Sequence, residues 1–202
     1  MSTWESYYEK NKDRPLRDFY LKAITLAPNG DSLSALDLGC GVGTEAIDLL
    51  SRGYIVHAVD PENSALKMVK ASPALLTDTL ARLITHHTRA EDFHPWPPVD
   101  FFYAFHSFPF CEPEKLDEVI QLAIASVKNG GIFAASFFGT EDEWVREKKA
   151  SGIGASSLRS WLSDFDLLHF EESSKLGPTA LAGDKHWHLI EIIAKKHPKS
   201  LA

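Results

Sequence analysis

Apolar and polar positions along this chain fall into blocks whose period switches between that of a strand and that of a helix. "LSALDL", residues 33–38, is a short apolar run that predicts a buried strand. "TEAIDLLSRG" then places Ala46, Leu49 and Leu50 on one helical face and closes at Gly53. "YIVHAVD" predicts a second strand, stopped by Asp60-Pro61, and "ENSALKMVKAS" a second helix, stopped by Pro73. "ARLITHH" and "PVDFFYAF" predict strands three and four. The clearest helix opens at Pro113 and keeps Leu116, Val119, Ile120, Ala123, Ile124 and Val127 on one face, with Asn129-Gly130-Gly131 as its end. "GIFAASFF" is apolar throughout, as a strand covered on both faces should be. "SSLRSWLSDF" predicts a short helix, and "FDLLHFEES" and "HWHLIEIIAKK" two final strands. Ahead of all these, residues 15–28 predict a helix with Pro15 at its start and Pro28 near its stop.

Strand and helix alternate through the first five strands, which predicts an α/β, doubly wound, mostly parallel sheet. The final strand pair has no helix between its members, so it must be antiparallel, because a parallel return needs a crossover of a dozen or more residues. No linker-like stretch divides the chain, and a single domain over residues 1–202 is expected, with residues 1–30 as an N-terminal helical segment. Composition adds exclusions. The chain has 202 residues, 44% hydrophobic and 24% charged, with a net charge of -7. That balance argues against a general nucleic-acid binder, which would show a basic face. Cys40 and Cys111 are too few for a disulfide framework and read as reduced thiols of a cytoplasmic protein. No apolar run reaches the roughly 18 residues of a membrane helix, and the polar, aromatic N-terminus is not that of a signal peptide.

The candidate chemistry begins after the first strand, at Gly39-Cys40-Gly41-Val42-Gly43. Its spacing is one residue shorter than the Gly-x-Gly-x-x-Gly of dinucleotide sites. Asp37 stands two residues before the first glycine, and Glu45 and Asp48 occupy the helix start. A pyrophosphate prefers bare amides there, and a carboxylate beside it would repel it by a few kcal/mol at an effective dielectric of about 20. The loop therefore suits a ligand with a cationic part and no phosphate. Asp60 closes the second strand 23 residues after Asp37, where an acid can accept both hydroxyls of a ribose. Asp92 follows the third strand and can accept from an exocyclic amine, and Phe93 offers a ring to an adenine face. Amine, sulfonium, ribose and adenine together describe S-adenosylmethionine.

"ALDLGCGVGTEA", "VHAVD" and "RAEDF", in that order and spacing, resemble the successive motifs of the class I S-adenosylmethionine-dependent methyltransferases. "WESYYEKNKDRPL", "FYAFHSFPFCEPEKL", "FFGTEDEW" and "GDKHWHLIEIIAKK" resemble the tellurite-resistance-type branch of that family, over nearly the whole chain. The resemblance implies a Rossmann-like seven-stranded sheet whose last strand is antiparallel. It implies that Gly39, Gly41 and Gly43 wrap the methionine part, that Asp37 supports the loop or accepts from the ligand amine, and that Asp60 holds the ribose. Asp92 and Phe93 would hold the adenine, with Phe105 beside the cofactor, and Arg14 or Arg17 would meet the ligand carboxylate. The branch also carries a histidine–arginine pair in its last hairpin, where this chain has Lys185-His186-Trp187-His188 and no arginine.

On the acceptor side, His106 lies just past the fourth strand and is a candidate to orient or deprotonate an acceptor, with Tyr103 as the other candidate base. Tyr8, Phe110, His186 and His188 are candidates to line the acceptor site. His186 and His188 point the same way on a strand, but two ligands are too few for zinc, and no metal is expected. Trp4, Tyr7 and Tyr8 form a candidate lid. The expected activity is methyl transfer to a small-molecule acceptor, a soft nucleophile such as a thiol or a tellurite- or selenite-type anion. The alternative is a non-catalytic protein that binds S-adenosylmethionine as a regulatory ligand. A nicotinamide-dependent oxidoreductase is disfavoured by Asp37 and the loop spacing.

Overall fold

A computed structural model describes residues 3–198 apart from Asp31 and Ala182. Met1, Ser2 and residues 199–202, at the two ends of the expected domain, lie outside the described residues. The core is a seven-stranded sheet in the order β3-β2-β1-β4-β5-β7-β6. Its strands are β1 (Ser34–Leu38), β2 (Ile55–Asp60), β3 (Leu83–His87), β4 (Val99–Ala104), β5 (Val127–Phe138), β6 (Phe165–Pro178) and β7 (Asp184–Lys196). The β1–β2, β2–β3, β1–β4 and β4–β5 pairs are parallel. β7 inserts between β5 and β6 and runs antiparallel to both. The doubly wound sheet with an antiparallel last strand is thus the architecture the strand and helix pattern predicts.

Helices cover both faces, and strand alternation decides which side chains meet which helix. On one side, α6 (Leu116–Ser126) lays Leu116, Val119, Ile120, Ala123 and Ile124 against Leu36, Phe102, Phe133 and Phe137, with Leu158 of α8 (Ala155–Trp161) beside them. On the other side, α2 (Asp18–Ile24), α3 (Thr44–Ser51) and α4 (Asn63–Lys70) bury Tyr20, Leu49, Leu50, Leu66 and Val69 against Ala35, Phe101 and Ile193. Each side chain of this size is worth about 1.5–3 kcal/mol when withdrawn from water. Among the described residues, no helix is long and apolar enough to cross a membrane.

Several boundaries differ from the sequence expectation, each for a local reason. α6 stops at Ser126, and Asn129-Gly130-Gly131 lies inside β5. There the β4–β5 register jumps from Val99↔Val127 to Phe101↔Ile132. Gly130 has φ +77°, and a Cβ on Gly131 would stand 2.9 Å from the carbonyl oxygens of Asp100 and Lys128. The glycines therefore make a bulge rather than a helix cap. α2 is shorter than residues 15–28. Pro15 disfavours helical backbone at Arg14, Arg17 is extended (φ -72°, ψ 141°), and the chain tightens into i→i+3 bonds after Ile24. Three short helices had no clear period: α1 (Thr3–Asn11), α5 (Thr77–Leu80) and α7 (Glu143–Arg146). The β6–β7 hairpin runs beyond the predicted strands to the pair Pro178↔Asp184.

Candidate active site

A cavity of about 730 Å³ opens at the carboxyl ends of β1, β2 and β4, where open parallel sheets bind their ligands. Its floor is the glycine turn. Gly39, Gly41 and Gly43 all have positive φ. Gly41 lies under Tyr8, whose ring carbon stands 3.4 Å from the position of a Cβ on residue 41. Gly43 does not line the cavity. It caps α3 with φ +82°, and a Cβ there would stand 2.6 Å from Val69 of α4. The third glycine is thus a packing glycine between α3 and α4, which corrects its expected place around a ligand.

Asp60 lines the cavity at the end of β2 and is 3% exposed. It accepts from the Gly41 N–H (2.8 Å), the Glu62 N–H (2.9 Å) and the Tyr8 hydroxyl (3.1 Å). Burial raises its pKa despite those donors. Tyr8 belongs to α1, is 5% exposed, and packs with Trp4 and Tyr7 over the turn. Lys10 of the same helix donates to the carbonyl of Ala180 in the β6–β7 tip (2.5 Å). The N-terminal helix and the C-terminal hairpin together roof the cavity.

Asp37 is 2% exposed, and its Oδ2 has no hydrogen-bond partner. Burial, reinforced by the charge of Glu45, pushes its pKa up to about 8. At neutral pH without a ligand it is an uncharged acid, unlike the carboxylate the sequence suggests. Tyr103, its register partner on β4, also has an unpartnered hydroxyl. Glu45 does not spend its charge on the helix dipole. Arg14 pairs with it through both terminal nitrogens and Arg17 at 3.1 Å. Burial pushes the Glu45 carboxyl up, but the Arg14 hydrogen bonds and the Arg17 charge bring it below the usual carboxylate range. Both arginines line the cavity.

Asp92 and Phe93 are not brought to the cavity. The 3-10 turn Ala90–Asp92 leaves Asp92 exposed and turns Phe93 (4% exposed) into the core between His86 and Trp96. Thr88, Arg89, Ala90 and Glu91 form that wall instead. His186 and His188 are likewise outside the lining. His188 receives the Glu141 N–H (3.1 Å) at Nδ1 and lies 2.9 Å from Glu172 at Nε2, while His186 pairs with Ser174 and the Glu141 carbonyl. Strand alternation sends the residue between them, Trp187, into the cavity.

The remaining candidates do line it: Tyr8, Phe105, His106 and Phe110. His106 sits in left-handed backbone (φ 56°), pinned by its N–H to Ser136 Oγ (2.8 Å). Its ring stacks on Phe105 (4.2 Å) and faces Trp187 (5.7 Å). Burial, with the positive charges of Arg17 and Lys185, pushes its pKa down to about 3, so it is a neutral imidazole. Sequence reasoning missed Trp144, Trp187 and the tip residues Pro178–Leu181, all of which line the cavity. The alternation along "DKHWH" was the available signal for Trp187.

The methyltransferase-domain family matches residues 35–131, from the first buried residue of β1 to the bulge in β5. Residues 35–131 thus match a methyltransferase domain, and the sheet has the class I methyltransferase fold. The chain is 30% identical over 153 residues to Hemagglutinin 1 of Eikenella corrodens, a match that covers 74% of this chain and 48% of that protein. The chain therefore spans about half the length of that curated relative. TehB from Haemophilus influenzae superposes with a TM-score of 0.71 at 16% identity, over 96% of this chain and 67% of that one. At that identity the likeness to TehB is one of fold. Magnesium protoporphyrin IX methyltransferase from Synechocystis PCC 6803, solved with S-adenosylhomocysteine, gives a TM-score of 0.67 at 14% identity over 96% and 94% of the two chains. NodS, an N-methyltransferase from Bradyrhizobium japonicum, gives 0.65 at 12% identity over 97% and 99%. These structural likenesses carry the fold.

Proposed function

We propose that the domain binds S-adenosylmethionine and transfers its methyl group to a small-molecule acceptor, a soft nucleophile such as a thiol or a metalloid oxyanion. Asp60 is the observation that carries this reading. It is a buried carboxylate at a strand end whose cavity-side partner is a hydroxyl, that of Tyr8, and a ribose presents hydroxyls of the same kind. The orphaned Oδ2 of Asp37 fits the ligand ammonium, which would return that acid to its carboxylate form. Arg14 or Arg17 would meet the ligand carboxylate, in competition with Glu45. Thr88–Glu91 would border the adenine. Bound S-adenosylmethionine supplies an activated methyl on a good leaving group.

The chain's own residues are left with positioning and water exclusion. α1 and the hairpin tip close the roof. Phe105, Phe138, Trp144 and Trp187 wall the far side. His106, neutral across the physiological range, orients an acceptor by hydrogen bonding and does not serve as a strong base. An acceptor that arrives ionised, or that is nucleophilic when neutral, suits such a site. Two buried, unpaired cysteines fit a reducing, cytoplasmic compartment. Calorimetry with S-adenosylmethionine, S-adenosylhomocysteine and NAD, followed by product analysis over thiols, tellurite, selenite and phenols, tests the reading. Binding of NAD without binding of S-adenosylmethionine refutes it. Tight binding with no product from any acceptor favours a regulatory ligand.

A further inference from the structure

Four of the rings that line the cavity, Phe105, Phe138, Trp144 and Trp187, each already face a cation of the protein itself. The Arg17 guanidinium stands 4.7 Å from the centre of Phe105. The Lys185 ammonium stands 4.5, 4.4 and 4.0 Å from the centres of Phe138, Trp144 and Trp187. Lys185 is 1% exposed and is not part of the cavity lining, so its ammonium lies behind those three rings. Asp142, fully buried, pairs with it. Three aromatic rings around one point, with a carboxylate beside it, are the composition of a cage for an alkylammonium ion.

Rigid elements build this cage. Lys185 and Trp187 share one face of β7 by alternation. Asp142 caps α7, accepting from the Trp144 N–H (3.0 Å), and also accepts from the His188 N–H (3.1 Å). One acid thus locks the loop after β5 against β7 and sets Phe138, Trp144 and Trp187 around the lysine.

We infer that Lys185 occupies, from within, an aromatic cage that would otherwise take an alkylammonium, and that it thereby fixes the acceptor class: neutral or anionic nucleophiles are admitted to the outer faces of these rings, and cationic amines are refused. The acceptor statement rests on the proposed function, whereas the cage does not. A ring quadrupole engaged by a cation on one face has less to offer a second cation on the other. With Arg17 on Phe105 and Lys185 on the other three, these four rings have little left to offer a cationic acceptor.

The test uses the full chain and tetramethylammonium chloride as the probe, read by tryptophan fluorescence against a sodium chloride control. Lys185→Ala empties the cage and should bind the probe at least about tenfold more tightly than the wild type. That variant leaves Asp142 buried without its counter-ion, so Asp142→Asn/Lys185→Ala is made alongside. It vacates the same space with no stranded charge and should also bind, more weakly. Equal binding by the wild type overturns the inference, and so does absence of binding by either variant when folded with wild-type affinity for S-adenosylhomocysteine. Turnover of a cationic amine by the wild type at the rate of a neutral or anionic acceptor overturns the class assignment. Failure of the wild type to bind S-adenosylhomocysteine removes the proposed function and leaves the cage to be judged by the tetramethylammonium titration.

Discussion

Replacing Gly43 by alanine separates a packing glycine from a ligand-wrapping one. Residue 43 has φ +82°, and a Cβ there would lie 2.6 and 2.9 Å from the two methyls of Val69. A side chain in left-handed backbone costs about 1–2 kcal/mol, and overpacking a tight contact costs about 1–3 kcal/mol. Val69 is fully buried on α4, so it has no solvent to swing into. Gly43→Ala should therefore lose about 2–5 kcal/mol of unfolding free energy. Adding Val69→Ala removes the clash and keeps the dihedral cost. Relative to Val69→Ala alone, the double variant should lose only about 1–2 kcal/mol. Urea unfolding of the four proteins measures the coupling, expected at about 1–3 kcal/mol. Calorimetry with S-adenosylhomocysteine on the same four should find affinities within about threefold of one another. Additive stabilities would refute the clash. A loss of affinity of about tenfold at unchanged stability would set residue 43 against the ligand and refute the placement.

Three further outcomes are expected. Asp60→Ala should lose at least about tenfold in affinity for S-adenosylmethionine, and wild-type affinity in that variant would remove Asp60 from the ribose. Asp37→Asn should gain stability on the wild type as pH rises from about 4 to about 8 without ligand. Below about pH 4 the buried acid is neutral in both folded and unfolded chains, and above it only the unfolded chain ionises until the folded pKa is reached. The gain should reach several kcal/mol at the top of that range, and equal urea midpoint differences at pH 5 and pH 8 would contradict it. Deleting residues 1–11, which removes α1 but keeps Arg14 on Glu45, should weaken cofactor affinity more than it lowers Tm. Unchanged affinity would mean that α1 is no lid.

The parts of the fold that hydrophobic period could predict were the long ones. α6 and the central strands follow from spacing alone, because each buries one continuous stripe or both faces. The bulge at Asn129-Gly130-Gly131 was not legible, because a glycine pair serves a helix stop and a strand bulge equally well and only the β4–β5 register decides. In the site, the position of Asp60 was legible because an acid that closes a parallel strand lies at the same carboxyl edge of the sheet as the glycine turn. Asp92 and Phe93 were misplaced because one turn of 3-10 helix reverses which residue faces in. His186 and His188 drew attention as chemistry-bearing residues, yet the aromatic between them and the lysine before them hold the wall. Glu45 and its two arginines meet across some thirty residues of sequence, a distance no local pattern spans.

The Tyr8–Asp60 hydrogen bond has a kinetic side. The acid already holds one hydroxyl, that of Tyr8, so on the proposed reading an arriving ribose would displace that one partner and offer two in its place. With α1 as a lid, the association rate would be set by how often that helix lifts, and is expected to saturate with cofactor concentration. Every ligand that needs Asp60 would then wait on the same motion of α1, whatever base it carries.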